Sequence, residues 1–206
     1  MTKGSKIALG VVGALLLLVL IVGGWVSGSY NTLVRLDQAT QAQWGQVENT
    51  YQRRADLIPN LVATVKGAAK FEQDTLTAVV EARSKVGQVS GAALGNIAND
   101  PAAFAKFQQA QDGLSSALSR LMVVVEKYPE LKATEGFRDL QAQLEGTENR
   151  ISQERMRFNI TAQEFNATRS SFPTVMIANL FGAKFQEKAF FKASTGAEKP
   201  PPVSFQ

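Results

Sequence analysis

Residues 53–59, Arg53-Arg54-Ala55-Asp56-Leu57-Ile58-Pro59, decide how many helices this chain has. Before them, from about 29 to 55, Leu33, Leu36, Thr40, Trp44, Val47 and Tyr51 recur three and four residues apart, which is one face of an α-helix. After them, from about 57 to 87, Leu57, Leu61, Val65, Ala68, Glu72, Leu76, Val79 and Val86 make a second stripe. Proline removes a backbone donor and disfavours a helical residue ahead of it. Residues 53–59 therefore read either as a tight turn, with Asp56 as a helix cap, or as a kink in one long helix. The turn is the preferred reading and gives a four-helix bundle; the kink gives a three-helix bundle whose first helix is a long strut.

Moving outward, Asn99-Asp100-Pro101 supplies a cap and a first-turn proline for a third helix, about 101–127, with Phe104, Phe107, Gln111, Leu114, Leu118, Leu121 and Val125 on one face. Tyr128-Pro129 stops it. A fourth helix, about 134–170, carries Phe137, Leu140, Leu144, Glu148, Ile151, Arg155, Phe158, Ala162 and Phe165. Four amphipathic helices need one another to bury their seams, so residues 27–172 read as an all-α, long antiparallel bundle. Gly87–Ala98, rich in glycine, is the expected flexible connection.

On the N-terminal side, Ile7 to Val26 is an unbroken apolar run behind a basic head, residues 1–6, with Lys3 and Lys6. Twenty helical residues span ~30 Å, the hydrocarbon thickness of a bilayer. The run is too long for a cleaved secretory signal, and Trp25 and Tyr30 stand where an interfacial aromatic belt stands. The lysines favour a cytoplasmic N-terminus, which puts the bundle on the periplasmic side of the inner membrane. Within the run, Gly10-xxx-Ala14 and Gly24-xxx-Gly28 are small-xxx-small faces that allow two spans to approach closely.

Composition narrows the function. Residues 27–181 hold 16 Lys+Arg and 16 Asp+Glu, so the net charge of +4 sits at the two ends. A neutral body without a basic patch argues against nucleic acid. Cysteine and histidine are absent, which removes disulfides, thiol nucleophiles, Ser-His and Cys-His dyads and the usual zinc and haem ligands. Gly87, Gly91 and Gly95 form no phosphate loop. The expectation is a chain with no cofactor, no metal and no catalytic residues.

Several of these residues also carry a resemblance. Tyr30-Asn31, Trp44-xx-Val47, Gln52-Arg53-Arg54-Ala-Asp56-Leu57-Ile58-Pro59-Asn60-Leu61-Val62, Val65-Lys66-Gly67, Ala82-Arg83, Tyr128-Pro129, Glu148-Asn149-x-Ile151, Arg155-xx-Phe158-Asn159, Asn166 and Phe172-Pro173 resemble the LemA family of bacterial membrane proteins over nearly the whole chain. Departures are Ala68-Ala69, Phe71 in place of a common histidine, and Phe158 in place of a tyrosine. The resemblance implies an anchored helical bundle without established catalysis. One branch similar to this family takes part in magnetosome membrane formation, which implies a membrane-organising task.

The polar residues among the seams are the candidate site: Glu72, Arg83, Gln111, Glu148 and Arg155, with Arg53, Arg54 and Asp56 at the turn and Pro59, Asn60, Asn149 and Asn159 from the motifs. They read as ion pairs and hydrogen bonds that fix helix register, or as a polar pocket for a small ligand or partner. In the first reading Arg155 donates to Glu72 or Glu148.

Beyond the bundle, residues 173–206 mix phenylalanine with lysine and end in a proline-rich tail. Val175, Ile177, Leu180, Phe181, Phe185, Phe190 and Phe191 are expected either to pack back on the bundle, to bind a partner or second copy, or to lie on a lipid surface. The functional reading is a self-associating, single-pass scaffold whose partners are the bilayer, other copies and an envelope protein. The alternative is an accessory subunit of an envelope protease or stress-response system.

Overall fold

The computed structural model describes residues 3–67, 72–93, 97–182 and 184–192. Ala68-Ala69, Phe71, Gly95 and the proline-rich tail lie outside the described residues. Among the described residues every regular element is helical: α1 (Lys3–Lys66), α2 (Gln73–Ala93), a single 3-10 turn (Ile97–Asn99), α3 (Pro101–Val125), α4 (Pro129–Lys132), α5 (Glu135–Ser170) and α6 (Thr174–Leu180). The fold is all-α, with an apolar N-terminal helix that feeds an antiparallel bundle of four long helices. α5 packs along α1, and α2 along α3.

The preferred turn at 53–59 is not there. α1 runs for 64 residues with Pro59 inside it, ~96 Å from end to end. Four helices remain because the break falls after Lys66, so Ile58, Leu61 and Val65 line the end of α1 instead of the start of α2. Pro59 has no N–H to offer the carbonyl of Ala55, four residues back. Arg83 of α2 donates its Nε–H to that oxygen at 3.0 Å. A donor from the next helix thus satisfies the acceptor that proline orphans, and α1 continues.

The expected connection at Gly87–Ala98 is also shorter, since α2 extends to Ala93. Glycine inside a helix costs ~1 kcal/mol; Val86, buried in the core, and Val89, packed against it, offset that cost. α3 begins as its sequence directs: Asp100 accepts the N–H groups of Ala102 at 2.8 Å and Ala103 at 3.1 Å, with Pro101 at the first helical position.

Between Ile7 and Val22 the large apolar side chains are 48–75% exposed, and this stretch is long and apolar enough to cross a membrane. Buried layers then succeed one another along α1. Leu33 and Leu36 pack with Phe165, Ala178 and Phe185. Trp44, Val47 and Tyr51 pack with Phe104, Phe107, Ile151, Phe158 and Phe191. Ile58, Leu61 and Val65 meet α2, α3 and the start of α5.

Candidate functional site

The far and middle layers meet at one buried cation. Arg54 is 1% exposed, placed by α1 toward α3 and α5. Its Nη1 donates to Glu148 at 2.6 Å and to Ser115 Oγ at 2.7 Å, and its Nη2 donates to Gln111 Oε1 at 2.5 Å and to the Gln111 carbonyl at 3.4 Å. The guanidinium lies 5.1 Å from the Tyr51 ring centre. Only a planar fork reaches all these acceptors, which is why arginine and not lysine suits the position. Among the described residues Nε has no partner. Burial pushes the Tyr51 phenol above its usual range, against the pull of Arg155 and Arg54. Burial likewise raises Glu48, which accepts a bond from Trp44.

The expected pairing of Arg155 with Glu72 or Glu148 is corrected by this arrangement. Glu148 belongs to Arg54, and Glu72 lies exposed between α1 and α2, 3.8 Å from Lys127. Arg155 donates instead to the Lys192 carbonyl at 2.8 Å and covers the Phe191 ring at 4.8 Å. Arg53, Asp56, Pro59, Asn60, Arg83 and Asn149 are exposed. Asp56 is a mid-helix residue that accepts from Gln52 at 2.7 Å, not a cap.

A second polar system holds residues 184–192 against the bundle as a strap. Asn166 Nδ2 donates to the Lys188 carbonyl at 2.9 Å while its Oδ1 accepts the Lys188 N–H at 2.8 Å. Asn159 grips Phe191 the same way, at 3.0 and 2.9 Å. Seven helical residues between the asparagines rise ~10.5 Å, and three extended residues between Lys188 and Phe191 cover ~10 Å, so the two periods match. The Lys188 ammonium is buried, bonded to Asp37 and Asn99 and set over the Phe165 ring at 4.8 Å. Phe191 closes the aromatic cluster around Trp44.

Of the C-terminal candidates, Ile177, Phe185 and Phe191 are buried and Val175 is half-buried, while Leu180, Phe181 and Phe190 remain exposed. Asp37, Ser115 and Lys188 are not among the candidates read from the sequence, and Asn166 enters there only through the family resemblance. The repeat of asparagine seven residues apart on α5 was the available signal. Among the described residues no group of acidic side chains converges as a metal site. Chemically, the charges and amides of both systems are spent on one another, on helix register and on the strap.

Two further findings place the chain among known proteins. Its sequence matches the model of the LemA family over residues 43–205. The chain belongs to the LemA family. The LemA match takes in Arg54, Pro59, the strap and α6, and begins beyond the apolar run. Relatives include the magnetosome proteins MamQ 1 and MamQ 2 of Paramagnetospirillum magneticum, each 31% identical over 178 residues, covering 77% of this chain and 65% of theirs. Magnetosome protein MamQ of Magnetospirillum gryphiswaldense is 26% identical over 185 residues, covering 83% and 67%. The chain therefore spans slightly under two thirds of the length of the first two. With the apolar end of α1, LemA membership makes this a membrane-associated helical protein.

Proposed function

We propose that this LemA chain is a non-catalytic scaffold of the bacterial inner membrane that self-associates and organises membrane or partner proteins, with its bundle on the periplasmic side. The observation that carries the reading is the unbroken α1, which joins the apolar run to the bundle core without an intervening loop. A helix cannot bend freely, so any association of bundles sets the spacing and tilt of the spans beneath them. Gly10, Gly13, Gly24 and Gly28 have open space where a side chain would stand, which favours close packing of a second span. The magnetosome relatives are consistent with a role in shaping membrane. Lys3 and Lys6 carry the orientation.

Gentle extraction followed by size analysis and identification of co-purifying chains tests this reading. A defined homo-assembly is the expected result. A monomer, or a fixed ratio to another envelope protein in place of self-association, would overturn it, the latter in favour of the accessory-subunit reading. Because the chain has no cysteine, a single V123C label site also reports the side: a membrane-impermeant maleimide should react in intact spheroplasts.

A further inference from the structure

The exposed aromatic and aliphatic residues around α6 form a pattern that the strap does not absorb. Phe172, Met176 and Leu180 recur every fourth residue and are 82%, 60% and 74% exposed, while Ile177 and Ala178 turn into the core at 5% and 0%. α6 therefore has an inner face seated on the bundle and an outer apolar face, Met176 and Leu180, with exposed Phe172 on the turn just ahead of it, that none of the described residues covers.

The register between α1 and α5 fixes the height of that face. Arg54 is level with Glu148, Trp44 with Phe158, and Thr40 with Thr161, so each step back along α1 is matched by one step forward along α5. Continued to the end of α5, this register puts Phe172 at the height of about residues 29–30, ~5 Å past Val26. The other end of α6 arrives at the same height independently. The Phe181 and Phe185 rings lie 5.1 and 5.6 Å from the Tyr30 ring. Both ends of α6 thus sit level with Tyr30, and the helix lies across α1, in the plane the membrane surface would occupy. Lys184 donates to Tyr30 Oη at 2.5 Å and is itself exposed, which sets a cation at headgroup height.

We propose that α6 is a membrane foot: the face formed by Phe172, Met176 and Leu180 inserts into the bilayer surface beside the point where α1 leaves it. The occupant is lipid because the face is continuous with the apolar run of α1 and shares its height. The inference rests on the membrane location of α1 and not on self-association. An apolar face of this kind, flanked by a lysine, is the composition of an interfacial helix. With the span it gives the bundle two points of attachment, which restrains rotation and tilt.

Single-cysteine variants M176C, L180C and V123C of the full chain, each carrying an environment-sensitive fluorophore and reconstituted in phosphatidylcholine–phosphatidylglycerol vesicles, test the foot. Val123 is exposed in α3 near the far end of the bundle, ~55 Å above the surface. Nitroxide on the upper acyl chain of the lipids should quench the probes at 176 and 180 at least about two-fold more than at 123. Circular dichroism checks that the variants fold alike. Quenching no greater than at 123 would overturn the proposal, whether the probe is then wet or is shielded by a second copy. A blue shift without lipid quenching that fades at high lipid-to-protein ratio identifies the second copy as the occupant.

Discussion

At the residue scale the molecule turns on Arg54. A buried charge is costly unless its partners are arranged around it, and here two nitrogens of one planar group serve Glu148, Ser115 and Gln111 together. An ammonium cannot reproduce that fork. R54K is therefore expected to lose ~2–3 kcal/mol, no less than R54M, despite keeping the charge. Thermal unfolding of the full chain in detergent, followed by circular dichroism, measures both. An R54K melting point close to that of the wild type would show that a point charge opposite Glu148 suffices. The sequence revealed that Arg54 and Glu148 were out of place near apolar seams, but not that they pair. That depends on the register between helices 94 residues apart in the chain, which no local spacing encodes.

At the element scale, the seams are legible, and so are the breaks at Asp100-Pro101 and Tyr128-Pro129, whereas the one expected at Pro59 is not there. Leu33, Leu36, Trp44, Val47 and Tyr51 are buried on α1, and Phe104, Phe107, Leu114, Leu118, Leu121 and Val125 on α3, because helical periodicity is a local property. Local rules end a helix near Pro59, and α1 continues because the compensating bond, from Arg83 to Ala55, comes from 28 residues away. Arg83 and Pro59 are therefore coupled. R83A costs ~1 kcal/mol in the natural background, and close to nothing once P59A has restored a backbone donor to Ala55. Equal costs in both backgrounds would mean that Arg83 acts through something other than the proline. The strap was legible only as one of three readings, since its bonds join side chains to backbone across 22 and 32 residues. N159A and N166A each remove two bonds from it. Both should speed hydrogen exchange at Lys188–Phe191 by ten-fold or more while α1 and α5 keep their protection. Loss of protection across the bundle would instead make the strap part of the cooperative core.

On the scale of the whole molecule, unequal helix lengths explain why the C-terminal extension folds back. α5 has 36 residues and α3 has 25, so ~16 Å of the α1–α5 seam outruns the α2–α3 pair. Phe185 to Phe191 spans ~20 Å when extended, enough to cover it, and brings Phe185 and Phe191 into the exposed ends of the seam. The result is a body with four helices far from the membrane and α1, α5, the short α6 and the strap near it, standing on one continuous helix. The scaffold reading needs that helix to transmit geometry from bundle to span. The most direct measurement is the distance between spin labels at V19C, in the apolar run, and N49C, in the bundle, in reconstituted vesicles. A continuous α1 predicts one narrow distribution centred near ~45 Å; a broad distribution, or one shifted well below that distance, would reveal a hinge at the membrane surface and contradict the account.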